Sequence, residues 1–257
     1  MRVWNRAVSL LASAFALAVF FVLPAYADRL ALWKIVHDKC VVHFEAGAGP
    51  APCDNVDMTG GEDGGVALLK DLVGVAQMLA ISTRRVTGIE DPAVLEPGAL
   101  HYFAAAWAAR AQVEAHLHRP LPREAVSIAV NSEFARSQDQ LHLHVDCLDK
   151  DVAAALASQS SAFDAQFRPM AVELKGRRYW ARRLDSTDLS DVSPFRLLAD
   201  GIDGAKNEMG LWSLAAIAAS FSGTPGFILL ADRYESGRGG HAEDLQDHDC
   251  LITGPKS

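Results

Sequence analysis

Residues 138–147 have the sequence Gln-Asp-Gln-Leu-His-Leu-His-Val-Asp-Cys, and this stretch decides the predicted fold. Polar and apolar residues alternate through it, which is the period of a β-strand with one buried face. The polar side chains that share one face are Gln138, Gln140, His142, His144 and Asp146. The apolar side chains that share the other are Leu141, Leu143, Val145 and Cys147. We predict a strand over residues 141–148 that packs on a core through one face and presents a polar row on the other.

His142 and His144 are the candidate catalytic residues of this row. Neutral imidazole, with a pKa of about 6.5, is both a nucleophile toward phosphorus and a proton carrier. On a strand, two histidines at alternate positions project side by side. The same spacing in His116-Leu-His118 falls in a predicted helix, where the rings point about 200° apart. The alternative is a pair of half-buried histidines that are satisfied within the sheet.

The surrounding segments predict an α+β fold with a mainly antiparallel sheet. Strands are predicted over residues 66–69, 76–81 and 126–130, and a long helix over 97–118 precedes the last of these. In that helix Phe103, Trp107 and Ala111 recur at helical spacing, and prolines follow its end. Together with the polar row, these segments form a predicted catalytic region over residues 28–150.

Residues 151–257 predict a second α+β region packed on the first. Helices are predicted over 152–167 and 194–202, an extended segment over 173–184, and strands over 211–218 and 227–231. The order helix, strand, strand resembles the first half. A degenerate second copy of the same unit is one interpretation.

The N-terminal residues predict export from the cytoplasm. Arg2 and Arg6 precede an apolar run over residues 7–23, and Ala25-Tyr26-Ala27 fits a signal-peptidase site. The run is also close to the about 20 residues that span a bilayer, so residues 1–27 are a signal peptide or a membrane anchor. The cleavage pattern favours the signal peptide. In either case the rest of the chain is expected to face the periplasm.

Four cysteines in an exported chain predict two disulfides, with three possible connectivities. We favour Cys40–Cys53 together with Cys147–Cys250, because the first pair closes a short local loop. The alternative for the first region is a zinc site, which has no Cys-x-x-Cys pair to support it. Its ligands would be His37, Cys40, His43 and Cys53.

Charge and composition limit the class of ligand. The formal net charge is −8 and the sequence has no dense Lys/Arg stripe, so nucleic acid is disfavoured as a partner. A small anionic ligand needs only a few cationic groups and remains compatible. We find no Gly-rich phosphate loop and no carboxylate cluster, and we predict no cofactor and no metal requirement.

The polar row resembles the signature of the histidine-triad family of nucleotide hydrolases and transferases. In that signature three histidines alternate with apolar residues, behind an Asn and a Gln-Ser or Gln-Thr pair. The corresponding residues here are Asn131, Arg136-Ser137 and Gln140-Leu-His142-Leu-His144. Residues 78–86 resemble the family's preceding strand, with Ser82 and Arg85 where that family has Pro and His.

Gln140 stands where the first histidine of the triad is expected, and two registers follow. If Gln140 fills the first position, His142 is the central nucleophile and His144 its supporting neighbour. If His142 fills the first position, His144 is the nucleophile. The first register is favoured, because Ser137 then falls at the family's usual distance before the nucleophile.

Within that superfamily the chain resembles the bacterial CDP-diacylglycerol pyrophosphatases over nearly its whole mature length. The matching segments are Leu-Leu-Lys70-Asp71, Thr83-Arg-Arg85-Val-Thr-Gly88, Trp107-Ala-Ala-Arg110, Asn131-Ser132, Tyr179-Trp-Ala-Arg-Arg183, Ser193-Pro-Phe195 and Leu245-Gln-Asp-His248. Matches dispersed over such a length are more specific than the short histidine motif alone.

The resemblance implies hydrolysis of CDP-diacylglycerol to CMP and phosphatidate through a histidine nucleophile, at an inner-membrane surface. It implies a group of phosphate- or substrate-binding residues, which would be Asn131, Ser137, Gln138, Gln140, Lys70 and Arg85. A soluble nucleotide pyrophosphate is the alternative substrate for the same histidines. A non-enzymatic binding domain is a second alternative, and a metal site of His142, His144 and His248 is a third.

Overall fold

One antiparallel sheet of nine strands organises the part of the chain that the structure describes. The structure is a computed structural model, and it describes residues 28–61, 64–96, 99 and 102–254. In chain order the strands are β1 Asn55–Asp57, β2 Val66–Lys70, β3 Met78–Ser82, β4 Val126–Val130, β5 His142–Cys147, β6 Arg168–Pro169, β7 Trp180–Leu184, β8 Trp212–Phe221 and β9 Thr224–Arg233. Across the sheet their order is β1-β2-β3-β5-β4-β8-β9-β7-β6.

Short helices cover both faces of the sheet. Their bounds are α1 Ala31–Ile35, α2 Val42–Glu45, α3 Tyr102–Ala108, α4 Arg110–Leu117, α5 Lys150–Ser158 and α6 Pro194–Gly201, with a π-helical turn Val36–Val41 between the first two. Two of these helices, α5 and α6, begin at a residue whose side chain caps the helix N-terminus. Asp149 accepts hydrogen bonds from the backbone of Asp151 and Val152 at α5, and Ser193 accepts one from Arg196 at α6.

The alternation of β5 divides its side chains between a core and a polar face. Leu141, Leu143, Val145 and Cys147 belong to the largest buried cluster, which includes residues of α3, α4 and α6. On the other face a small cluster joins α1 to β2 and β3, and a second joins α5 to β8 and β9. Because β5 lies between β3 and β4, its polar row lies between these two apolar clusters.

The predicted α+β class and mainly antiparallel sheet are confirmed. The strands predicted over 66–69, 76–81, 126–130 and 141–148 correspond to β2, β3, β4 and β5. The described part of the helix predicted over 97–118 is divided at Ala109 into α3 and α4. It ends at His118, whose φ of 53° is left-handed and cannot continue the helix. Residues 97, 98, 100 and 101 of that prediction lie outside the described residues.

The second region departs from prediction where local signals are weak. The helix predicted over 152–167 ends at Ser158, where a serine-rich run of low helix propensity begins. Only Trp180–Leu184 of the extended segment predicted over 173–184 is a strand. The structure adds β1 and β6, whose three and two residues are too few to show a period of two.

The sheet continues across the boundary predicted at residue 150. β4, from the first region, pairs with β8, from the second, in a register that includes Ser127 with Ile217 and Val130 with Leu214. The predicted signal peptide or anchor over residues 1–27 lies outside the described residues. Among the residues that are described, no helix has the length and apolar character needed to cross a bilayer.

Both predicted disulfides are confirmed. Cys40 is bonded to Cys53, across 13 positions of sequence, and Cys147 to Cys250, across 103. Because Cys40 and Cys53 are bonded to each other, neither has a free thiol to bind the zinc ion of the alternative prediction. The second ties the end of β5 to the C-terminal segment. Two disulfides are consistent with an exported protein.

We expect the long-range disulfide to stabilise the fold more than the local one. Replacing both Cys147 and Cys250 by Ala should lower the free energy of unfolding by about 4–5 kcal/mol, because the bond restricts a long loop in the unfolded chain. The matched control, Ala at both Cys40 and Cys53, should cost about 3 kcal/mol. Urea unfolding of the two variants and the unmodified protein measures the difference. A larger loss from the Cys40–Cys53 pair would contradict this expectation.

Candidate active site

The central strand β5 holds His142 and His144 side by side. Its neighbours on both sides fix its position, since His144 is opposite Leu79 of β3 and Ala129 of β4. The centroids of the two imidazole rings are 4.9 Å apart. Both residues are largely covered, with 8% and 7% of their surface exposed. The predicted juxtaposition of the two rings on one strand face is therefore present.

A backbone carbonyl sets the tautomer of His142. Nδ1 of this ring lies 2.6 Å from the carbonyl oxygen of Gln140. A carbonyl oxygen only accepts hydrogen bonds, so Nδ1 carries the proton and donates it, and Nε2 has a free lone pair. Burial, with a smaller effect of the neighbouring His144, lowers the pKa of His142 to about 4. The imidazole of His142 is consequently neutral near pH 7.

The imidazole of His144 faces carboxylates. Its Nδ1 lies 3.2 Å from Oε1 of Glu243 and 3.8 Å from Oδ2 of Asp71. This buried nitrogen makes no hydrogen bond to any described residue, so the two carboxylates lie close to the ring without bonding it. Burial lowers the pKa of His144, and the charge of Glu243 opposes that shift. The pair is best described as a neutral imidazole beside an ionised carboxylate.

Amide groups keep Glu243 ionised within the protein. Burial alone would raise its pKa, but the His144 ring and hydrogen bonds from Gln77 and Asn131 outweigh burial, and the net pKa is lowered. Gln77 donates to Oε1 at 3.0 Å and Asn131 donates to Oε2 at 3.1 Å. The backbone nitrogen of Glu243 donates to the side-chain oxygen of Asn131 at 3.2 Å. This reciprocal contact connects the end of β4 to the C-terminal segment.

A second ion pair lies at the far end of the polar row. Nδ1 of His248 is 2.8 Å from Oδ2 of Asp146, which is fully buried. The hydrogen bond to Asp146 raises the pKa of His248. The pKa of Asp146 is also raised, because its burial outweighs the opposing effect of His248. Gln246, two residues before His248, donates to the backbone oxygens of Ser127 and His144 at 3.1 Å each.

Not every predicted member of the polar row is on the strand. β5 begins at His142, so the prediction that Gln138 and Gln140 extend the row was wrong. Both amides are used to hold loops. Gln140 donates to the backbone oxygens of Ser82 and Arg84, and Gln138 bonds the backbone of Asp28 and Leu32 before and within α1. These hydrogen bonds join the two amides to backbone that is far away in sequence, outside the ladder of the sheet.

The remaining predicted binding residues are Arg85 and Ser137, which lie on loops of the protein, and Lys70, the last residue of β2. Arg85 donates to the side-chain oxygen of Gln140 at 3.0 Å and to the backbone of Asp139, and it is exposed. Ser137 is exposed on the loop before Gln140. The ammonium of Lys70 donates to carbonyls of its own loop, those of Asp71 and Gly74 included. Their predicted roles in phosphate binding stay predictions.

Four residues near the histidines were absent from the predicted site. They are Asp71, Gln77, Glu243 and Gln246. Glu243 and Gln246 are far from β5 in sequence, so the strand pattern could not predict that they lie beside the histidines. No local pattern distinguishes Glu243 from other acidic residues. The resemblance had included Asp71 in one matching segment and Gln246 in another, and these were the available signals.

The predicted histidine metal alternative is not assembled. Within the described ranges, the single group that brings three ligand atoms within 4.8 Å of one another consists of Asp146, Cys147 and Cys250. The two cysteines are bonded to each other, so neither is a thiolate ligand.

The space beside the His142 ring is small. The cavity beside His142, lined also by Asn131, Arg136 and Gln140, has a volume of about 10 Å³. Such a space holds at most one water molecule. Arg136 does not project into it as a free cation, since its guanidinium makes two 2.7 Å contacts with Glu90. This space is therefore too small to admit a phosphate group.

Comparisons with known proteins agree with one another. A family model described as CDP-diacylglycerol pyrophosphatase matches residues 27–254. A protein of Yersinia pestis named CDP-diacylglycerol pyrophosphatase is 40% identical over 229 residues, which cover 88% of this chain and 86% of that protein. Proteins of the same name from Mycobacterium bovis (strain BCG / Pasteur 1173P2) and Mycobacterium tuberculosis (strain ATCC 25177 / H37Ra) are each 38% identical over 229 residues, covering 88% of this chain and 85% of theirs.

We expect His142 to titrate at about 4, with its proton on Nδ1 when neutral. The unfolded chain, with a histidine pKa of about 6.5, then binds this proton more tightly than the folded chain. Stability should fall as the pH decreases from about 6.5 toward 4, and His142 should contribute no pH dependence above that window. Nitrogen-15 spectra of the imidazoles over this range, with His142→Asn to assign the signal, measure both features. A ring that is protonated at pH 6 would contradict the assignment.

Proposed function

The chain belongs to the CDP-diacylglycerol pyrophosphatase family, and we propose that it hydrolyses CDP-diacylglycerol to CMP and phosphatidate with His142 as the nucleophile. The family membership extends over residues 27–254 and supports the substrate. The contact between Nδ1 of His142 and the carbonyl oxygen of Gln140, at 2.6 Å, is the observation that carries the mechanism.

This contact prepares His142 for attack in two ways. It holds the proton on Nδ1, so that the lone pair of Nε2 is free to meet phosphorus. It also gives the ring a fixed partner for the charge that develops during the reaction. When Nε2 forms a bond to phosphorus the imidazole becomes cationic, and the hydrogen bond from Nδ1 to the carbonyl becomes charge-assisted. Because the pKa of His142 is low, its Nε2 stays unprotonated and nucleophilic near neutral pH.

The proposed reaction has two displacement steps. Nε2 of His142 attacks the cytidine-side phosphorus, a nitrogen–phosphorus bond forms, and the bridging P–O bond breaks with its electrons on the phosphatidate oxygen. Water then attacks the same phosphorus of the cytidylyl-histidine, loses a proton to solvent or a nearby base, and releases CMP. His142 returns to its neutral form with Nδ1 still protonated.

His144 is proposed to support the nucleophile from the adjacent position. Its ring is 4.9 Å from that of His142 between centroids, and Oε1 of Glu243 lies 3.2 Å from its Nδ1. In that position it is suited to hydrogen-bond a phosphate oxygen or to accept the proton of the attacking water. Asn131 contributes indirectly, because its side chain bonds the Glu243 carboxylate.

Phosphate recognition is proposed to involve the exposed members of the predicted set. Arg85 lies beside Gln140 and is free to turn a further donor toward an anion, and Ser137 is exposed on the same loop. The side chains of Gln138, Gln140 and Lys70 are already bonded to backbone groups. For these three we propose a positioning role, in which they hold the loops around the histidines.

We further propose that the fold is histidine-triad-like and that its two halves are divergent copies of one unit. The strand order β2-β3-β5-β4 in one half has the same pattern as β6-β7-β9-β8 in the other. In each half a helical segment, α3–α4 or α6, connects the second strand to the third. The second copy would have lost the catalytic residues, since β9, the counterpart of β5, contains no histidine.

The cellular setting follows from the substrate and from the N-terminal sequence. We propose that the enzyme faces the periplasm and acts at the inner-membrane surface, where its lipid substrate resides. Residues 1–27 would direct export and, if retained, would also anchor the enzyme. The two disulfides agree with an oxidising compartment.

We expect His142→Ala to lower kcat for CMP release by about a thousandfold or more, because the covalent route is lost. His144→Ala should lower it less, by about a hundredfold, because general acid–base assistance is lost while the nucleophile remains. The assay is CMP release from CDP-diacylglycerol by purified, folded variants.

His116→Ala is the matched control, since this imidazole pairs with Asp54 on a surface away from β5. It should retain activity. Quenching the His144→Ala reaction with alkaline detergent, in which the P–N bond is stable, should trap a cytidylyl group on His142. Near-full turnover by His142→Ala would dismiss His142 as the nucleophile, and a label trapped on His144 in the His142→Ala variant would assign the other register.

A further inference from the structure

The loop between β2 and β3 presents aliphatic side chains to solvent. Leu72 is 101% exposed, Val73 52% and Val75 39%, relative to the fully accessible residue. We name these three residues the apolar tip. A single exposed leucine is ordinary, but adjoining exposed aliphatic residues mark an interaction surface.

The apolar tip is held in place by its own loop. The ammonium of Lys70 donates to the carbonyl oxygens of Asp71 at 2.6 Å and Gly74 at 3.0 Å. Oδ1 of Asp71 accepts from the backbone nitrogen of Val73 at 3.1 Å. These contacts fix the backbone while the aliphatic side chains point outward. They also occupy the charges of the loop, so that the apolar tip itself has no exposed ionic group.

The same loop adjoins the catalytic histidines. Asp71, the residue before Leu72, has its carboxylate 3.8 Å from Nδ1 of His144. The backbone nitrogen of Val75 donates to the carbonyl of His248 at 2.9 Å. Gly74, with φ of +71°, packs so closely on His248 that an added Cβ would lie 3.1 Å from the Cβ of that residue. The apolar tip and the site are therefore adjacent and joined by direct contacts.

We propose that the apolar tip inserts into the interface of a phospholipid bilayer and thereby places His142 and His144 at the membrane surface. The proposal rests on the proposed function, because a nucleotide lipid has its pyrophosphate in water and its acyl chains in the bilayer. An enzyme whose site lies beside inserted aliphatic side chains meets that pyrophosphate without extracting the lipid. The insertion is apolar, and salt should affect it little.

The test separates hydrolysis at a bilayer from hydrolysis in solution. The full chain is assayed on CDP-diacylglycerol in phosphatidylcholine vesicles and on dihexanoyl CDP-diacylglycerol below its micellar concentration. Leu72→Asp should lower kcat/KM on vesicles at least about tenfold, since a charge replaces four inserted carbons. The same variant should stay within about twofold of the unmodified enzyme on the soluble substrate. The vesicle rates should be equal in about 0.1 and 0.5 M NaCl.

Two control variants accompany it. Leu72→Met keeps an apolar side chain and should retain the vesicle activity. Val172→Asp adds the same charge at an exposed aliphatic residue outside the loop, and it should also retain that activity. Residues 1–27 are identical in all variants, so any anchoring by them is common to every comparison.

Equal vesicle activity of Leu72→Asp and the unmodified enzyme would overturn the proposal, and so would an equal loss on both substrates. A vesicle rate that falls steeply with salt would indicate electrostatic docking and would also overturn it. If sedimentation shows a dimer that Leu72→Asp abolishes while vesicle activity persists, the apolar tip contacts a second copy instead. In each of these cases hydrolysis of the soluble substrate by the unmodified enzyme still tests the proposed function separately.

Discussion

The covalent bond between Cys147 and Cys250 joins the two parts of the chain from which the site is built. It fastens the C-terminal segment to the end of β5, within reach of the histidine face. That segment supplies Glu243, Gln246 and His248, and each of these contacts β5 or its polar side chains. The hydrogen bonds of Gln246 to the backbone of Ser127 and His144 continue the attachment along the sheet. The electrostatic environment of both histidines depends on this attachment.

The buried carboxylates near the histidines are stabilised by hydrogen-bond partners rather than by contact with water. An ionised carboxylate in a protein interior is strongly disfavoured unless hydrogen bonds and opposite charges replace water. Glu243 has two amide donors, and Asp146 has the imidazole of His248. His142, without a carboxylate in contact, is instead kept neutral by burial. The two histidines therefore share a strand face but differ in electrostatic character, which supports different roles for them.

Local sequence was sufficient for most of the architecture because the segments involved are long and regular. β2, β3, β4 and β5 each bury residues that alternate or run continuously, and α6 begins at a serine cap followed by proline. The error at the start of β5 arose where side chains bond backbone that is distant in sequence. Gln138 and Gln140 continue the polar alternation in sequence, but their amides bond the loops at Asp28 and Ser82, and the strand begins after them.

The sequence by itself determined that His142 and His144 share one face of a strand, since alternation is a property of adjacent residues in an extended chain. It also favoured the observed cysteine pairs among three connectivities and predicted the antiparallel α+β class. Only the tertiary structure decided which ring has its proton held by a carbonyl, which ring faces Glu243, and where Leu72 lies relative to both. These features depend on groups separated by up to a hundred positions. Their proximity is set by the packing of the whole sheet and its crosslink, which no local pattern encodes.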